Sequence, residues 1–301
     1  MDGDGEGAKL SKVQRQARRR IARLARKPDG EPLDADDWEA YFRFFAQPST
    51  RAAKWALRSL PSSPRCGYCG APFAGFGAAL VRPLGYRPSR KNPNLCASCV
   101  EMSPPGGATM EIGVLFADVR GFTTMSEREG STAATNLLRR FYAHAEEVFF
   151  PEALIDKLIG DEVMALYVPM MIERSEGQPT DETRRSIAKM MLGHARELLE
   201  RSGYGTPDGP SLELGVGMDF GEAFLGHVGR GAVHDFTAVG DVVNTASRLQ
   251  HQATAGEVVL SDRLAKYLPH LPGTAENLTL KGKDEPLPAR RVQWFAARPS
   301  S

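Results

Sequence analysis

At 301 residues the chain is long enough for about two domains, each with its own buried core. Its 42% hydrophobic and 25% charged residues, with 30 Gly and 21 Pro, exclude a collagen-like or broadly disordered chain. No run of 18 apolar residues occurs, which excludes an ordinary membrane-spanning helix, and the opening MDGDGEGAKL lacks the apolar stretch of a secretory signal. A cytoplasmic protein is the expectation.

The formal net charge of +1 hides an asymmetry: residues 8–27 carry nine Lys or Arg and no acid, and the rest of the chain is net −8. An anionic partner is therefore expected only for this arm. Leu10, Val13, Ala17, Ile21 and Leu24 recur at three- and four-residue spacing, which predicts an amphipathic basic helix. Such a helix can touch a membrane surface peripherally, form a dimer seam, or pack its apolar stripe on the neighbouring segment. Residues 35–60 read as one or two further helices interrupted by Pro48, most of their aromatics (Trp38, Tyr41, Phe42, Phe44, Phe45, Trp55) belonging to a core.

All four cysteines fall in two CxxC pairs, Cys66/Cys69 and Cys96/Cys99, separated by 26 residues. Four thiolates suit a tetrahedral Zn²⁺, and Gly67 and Gly70 permit the tight turns that aim backbone amides at sulfur. An iron–sulfur cluster would use the same ligands, and unliganded thiols are the remaining alternative; disulfides need an oxidising compartment that nothing here suggests. The predicted organisation is a basic and aromatic helical region at 1–63, a zinc-binding module at 64–102, a Pro/Gly linker at 103–109 and a larger domain at 110–297. In that domain, strands are expected at 112–117, 153–159, 162–168, 234–238 and 257–260, helices near 131–149, 183–202 and 241–251, and a hairpin at 212–228. This order argues for an α+β domain with an antiparallel-rich sheet covered by helices.

Three blocks in it carry chemistry. In FADVRGFT, Asp118 ends an apolar strand at a glycine turn; in KLIGDEVMALY, Gly160 and Asp161 occupy a hairpin tip that can lie beside Asp118. Two carboxylates with phosphate oxygens would form the hard oxygen site that Mg²⁺ or Mn²⁺ requires. In FTAVGDVVNTASRL, Asn244 and Arg248 are four apart on one helical face and suit a ribose oxygen and a phosphate, with Asp241 read as the helix N-cap.

Together with LGVGMDFGEAFLGHVG, these blocks resemble, in order and spacing, the catalytic domain of class III nucleotidyl cyclases over about residues 110–297. The stretches Pro72-Phe-Ala-Gly-Phe-Gly and Lys91-Asn-Pro-Asn resemble the cysteine module often found ahead of bacterial cyclase domains, which implies a structural role. The resemblance implies that Asp118 and Asp161 bind two Mg²⁺ or Mn²⁺ ions and that Lys157 and Thr237 read the purine. It implies that Asn244 and Arg248 position the ribose and stabilise the transition state, that Phe122 and Thr123 contact substrate, and that Lys283, with Lys281 as competitor, contacts phosphate. Glu222 departs from relatives that carry a phosphate-contacting arginine there. Adenine offers an acceptor at N1 and a donor at N6, which match Lys157 as donor and the Thr237 hydroxyl as acceptor; guanine reverses both. The implied activity is adenylate cyclase, with sites shared across a homodimer and ATP as substrate, and a threonine reader resembles a subclass with bicarbonate-responsive members. Guanylate cyclase and a catalytically silent nucleotide-sensing dimer are the alternatives. Nucleic-acid binding is not expected, because the arm lacks interleaved aromatics and the cysteine module lacks a basic recognition helix.

Overall fold

The computed structural model describes residues 10–28, 31–61, 64–89, 92–100, 102–172, 178–230, 233–282 and 285–295. The chain divides into two compact units, residues 1–108 with 225–237, and residues 109–224 with 238–301.

In the smaller unit, α1 (Lys12–Leu24) begins with a capping box between Ser11 and Gln14, and α2 (Trp38–Ala46) is followed by α3 (Pro48–Arg58). Pro48 starts α3 instead of merely interrupting a helix, because its missing N–H and fixed φ suit the first helical position. Trp38, Tyr41, Phe42 and Phe45 are buried, and Tyr41 meets Phe42 and Phe45 edge to face; Trp55 is exposed. Of the apolar stripe of α1, Ile21 is fully buried and Val13 is exposed. The helix packs against α2, and Gln14 donates to Ser98 beside the second CxxC pair. Ile21 thus serves internal packing, and no helix among the described residues is long and apolar enough to cross a membrane. Two short helices, α4 (Gly75–Val81) and α5 (Ala97–Val100), also lie in this unit.

The remaining elements are β1 (Gly107–Val119), α6 (Phe122–Phe149), β2 (Leu154–Ile159), β3 (Glu162–Tyr167), α7 (Pro169–Ile172), α8 (Asp181–Arg201), β4 (Leu214–Arg230), β5 (Val233–Val239), α9 (Asp241–Gln252), β6 (Glu257–Ser261), α10 (Asp262–Ala265), β7 (Thr274–Leu278) and β8 (Leu287–Gln293). The strands form one sheet in the order β2-β3-β1-β4-β6-β8-β7, with β5 on β4. β4 and β6 run parallel, whereas β1/β3, β2/β3, β6/β8 and β7/β8 are antiparallel.

Two expectations change. β1 starts at Gly107, inside the stretch read as a linker, since Gly106 (φ +67°) completes the turn before it. The residues 212–228 form no hairpin but most of one 17-residue strand, β4, which pairs with β5.

Alternation along β4 and β6 builds the larger unit. Leu214, Val216, Met218 and Phe220 join Val258 and Leu260 in a core with Phe141, Val148 and Phe149 of α6 and Ile187, Met191 and Leu198 of α8. On the opposite face Val259 packs with Leu249, Ala253 and Leu280. There α9 lies on bare backbone: a Cβ at Gly217 would fall inside contact distance of Ala246 O and Gln250 N. Gly217→Ala should displace α9, lower stability by roughly 1–3 kcal/mol, and be visible as a reduced melting temperature.

Candidate active site and cysteine centre

The end of β1 and the β2–β3 turn bring Asp118 and Asp161 together. Asp118 pairs with Glu162 in the β1/β3 register, and the Val119 N–H donates to Asp161 O at 3.1 Å, one residue past Asp118. Gly160 (φ +60°) makes the turn, and Gly121 (φ +69°) turns β1 into α6, whose first residues are Phe122, half-buried against the core, and Thr123, exposed. A Cβ at either glycine would meet nothing within 4 Å, so the turns flanking the carboxylates are open. Oxygen donors beside open space fit a hard divalent cation.

Arg120, in the turn just past the end of β1, places Nη2 2.7 Å from Asp118 Oδ1. Its guanidinium lies over Gly215, where a Cβ would come within 2.9 Å of Nε. Burial pushes the Asp118 carboxyl above its ordinary range, Arg120 pulls it down and Asp161 pushes it up again, with His251 of α9 a smaller favourable influence. Glu162 is likewise raised, by burial first and then by Asp118. Arg120, Glu162 and His251 were absent from the sequence-derived site; the x in Asp118-x-Arg120 is the signal that could have found the first.

Lys157 lies just after a bulge: Ile155 pairs with Ala165 and Lys157 with Met164, which leaves Asp156 as the extra, buried residue. Bulges re-aim side chains, and Lys157 Nζ stands 3.9 Å from Asp156 Oδ2. On α9, Asn244 is exposed and Arg248 half-buried, its guanidinium close to Gly282 on the β7–β8 connection. That connection carries the exposed Lys281; Lys283 lies outside the described residues. Asp241 is the first residue of α9, not its cap, which is Gly240. Backbone approach decides this, since a Cβ at Gly240 would stand 3.0 Å from Ala223 Cα, and Asp241 instead accepts from Arg263 at 3.2 Å. Arg263 also pairs with the fully buried Asp219, through Nε at 2.7 Å, an anchor for the start of α9 that the sequence reading missed. Glu222 is exposed on β4. Thr237, on β5, belongs to the smaller unit and is buried.

Also in the smaller unit, the ligand atoms of Cys66, Cys69, Cys96 and Cys99 lie within 4.8 Å of one another, all buried and all free thiols. The Cys96 N–H points at Cys66 Sγ at 3.2 Å, and the Cys69 N–H at 3.5 Å. In the first pair only Gly70 (φ +70°) takes the left-handed conformation; Gly67 does not, and instead donates its N–H to Asn94 O. Four convergent sulfurs with amide donors fit a tetrahedral thiophilic metal.

The family model described as the adenylate and guanylate cyclase catalytic domain matches residues 107–288. An uncharacterized protein of Mycobacterium tuberculosis is 26% identical over 237 residues, 73% of this chain and 37% of that protein. An adenylate cyclase of Anabaena cylindrica is 30% identical over 159 residues, 50% of this chain and 30% of that protein. Thus the chain spans about a third of the length of these relatives, 37% of one and 30% of the other. The structure of the adenylyl cyclase CyaB from P. aeruginosa superposes with a TM-score of 0.50 at 24% identity, covering 65% of this chain and 99% of that one, a likeness of fold.

The chain belongs to the adenylate and guanylate cyclase family: residues 107–288 are a class III nucleotidyl cyclase catalytic domain with the family's α+β fold. Because Arg120 favours the charged form of Asp118, Arg120→Gln should move the acid limb of the activity–pH profile upward. Loss of activity with an unshifted limb would contradict this role for Arg120.

Proposed function

We propose that this chain is an adenylate cyclase that converts ATP to 3′,5′-cyclic AMP and pyrophosphate. The observation that carries the reading is the junction of Asp118 and Asp161 at the open end of β1, with Lys157 on the adjoining β2.

In this reading Asp118 and Asp161 hold two Mg²⁺ or Mn²⁺ ions, which when bound acidify the ribose hydroxyl and offset phosphate charge. Asn244 orients the ribose so that its 3′-oxygen faces the α-phosphorus, forms the new O–P bond and displaces pyrophosphate. Arg248 meets the charge that develops on the transferring phosphoryl group, and Phe122, Thr123 and the Lys281/Lys283 connection contribute to holding substrate. Lys157 donates to adenine N1 and the Thr237 hydroxyl accepts from N6. A lysine against the guanine N1–H would be a buried mismatch costing roughly 1–3 kcal/mol, which disfavours GTP.

The active unit is a homodimer with two equivalent sites. Along α9, Asn244 sits seven residues, about 10 Å, before His251, which exerts a small electrostatic influence on Asp118. Carboxylates from one protomer and Lys157, Thr237, Asn244 and Arg248 from its partner complete each site. The four cysteines hold a structural Zn²⁺ in the smaller unit. Side-by-side turnover of ATP and GTP tests the substrate; GTP turned over faster than ATP would replace this reading by guanylate cyclase.

A further inference from the structure

α3 is an unusual surface helix. Of its eleven residues the one buried side chain is a lysine, Lys54, only 4% exposed, while the adjacent Trp55 is 56% exposed. Helices ordinarily dock through apolar side chains, and a buried ammonium is costly unless an opposite charge answers it. The Lys54 ammonium sits 3.9 Å from the centroid of the Tyr68 ring and 5.8 Å from that of Phe45. Tyr68 is the residue inside the Cys66/Cys69 pair, between Gly67 and Cys69. One cavity of about 210 Å³ is lined by Lys54 together with Cys69 and Cys99. Burial works most strongly against the charge of Lys54; the cysteines Cys99, Cys69 and Cys66 favour it, and Arg51 opposes it.

A divalent metal on four thiolates leaves two net negative charges in a buried site. We propose that Lys54 is the built-in counter-charge of this centre, offsetting part of that excess through the Tyr68 ring and so setting how tightly the metal is held. The inference rests on the zinc reading of the cysteines. It also explains why α3 docks through a lysine: metal loading supplies the negative charge that draws the helix against the Cys66/Cys69 pair. Phe45 and Tyr68 then act as the apolar and π-rich walls that exclude water from the pairing.

The test compares Lys54→Met and Lys54→Gln, which lose the charge, with Lys54→Arg, which keeps it, in the full chain. Zinc affinity is read by competition with a chromophoric chelator, the Co²⁺-substituted protein reports thiolate coordination by its visible spectrum, and the melting temperature of each metal-free form reports packing. Losing a group that supports a metal's ligands from outside typically weakens binding by about 10- to 100-fold, and Lys54→Met and Lys54→Gln should each lose at least tenfold in zinc affinity while Lys54→Arg stays within a few-fold of the parent. Equal affinity in all variants, or equal loss in Lys54→Arg and Lys54→Met, would overturn the proposal, the latter because shape and not charge would then matter. A lowered metal-free melting temperature with unchanged zinc affinity would assign Lys54 to packing alone and overturn it as well. A parent protein that binds neither Zn²⁺ nor Co²⁺ would remove the zinc reading itself, and this inference with it.

Discussion

Asp118→Ala and Arg248→Ala should each be nearly inactive as pure proteins, and an equimolar mixture should regain about a quarter of parental activity. The figure follows from two-fold symmetry: random exchange makes half of the dimers heterodimers, and each of these has one intact site of two. The two substitutions remove opposite halves of a proposed site, the carboxylate end of β1 and the guanidinium on α9, so one heterodimer site collects both defects and the other none. A mixture of Asp118→Ala with Asp161→Ala is the internal control. Both residues stand at the same junction, joined through the Val119 N–H to Asp161 O bond, so each heterodimer site keeps one defect and the mixture should stay inactive. Recovery is measured as product formation after exchange, with heterodimers verified by differential tags. Inactivity of the first mixture despite verified heterodimers would contradict shared sites.

The second large effect concerns the base. Lys157→Glu exchanges a donor for an acceptor at the proposed purine N1 contact, while the Thr237 hydroxyl can either accept from N6 of adenine or donate to O6 of guanine. Each reversed buried hydrogen bond is worth roughly 1–3 kcal/mol, so the ratio of kcat/KM for ATP over GTP should fall by about 10- to 100-fold. The β2 bulge at Asp156 sets where this side chain emerges, and the glutamate inherits that placement. An unchanged ratio would show that Lys157 does not read the base.

Much of this was legible in the sequence because the informative signals are local. An apolar run ending in Asp-x-Arg-Gly gives β1 and its turn, Gly160-Asp161 between two short apolar runs gives the β2–β3 hairpin, and two CxxC pairs give four convergent sulfurs. What escaped is non-local. The glycines of LGVGMDFGEAFLG suggest turns, yet Gly217 makes room for α9 and Gly226 for the backbone of Gly107, so β4 runs straight through them. The same strand's end, with β5, belongs to the smaller unit, which no composition shift announces. β7 is a largely exposed edge strand, and β8 carries Pro288, Arg290 and Arg291, so neither shows the alternation that marks a half-buried strand. Gly130 (φ +84°) interrupts the helical pattern of α6, whose start at Phe122 was therefore missed. In the site, Asp219 and Arg263 are 44 residues apart and meet only because β4 and β6 are neighbours. Lys54 reads as one more surface charge until the fold buries it.

The most direct test of the central claim is cyclic nucleotide formation from ATP by the purified full chain in excess Mn²⁺, with Asp161→Ala as the blank. The parent should form cyclic AMP and pyrophosphate in equal amounts and the variant none. Cyclic AMP formed equally by the variant, or no cyclic nucleotide from a folded parent dimer that binds ATP, would contradict that claim.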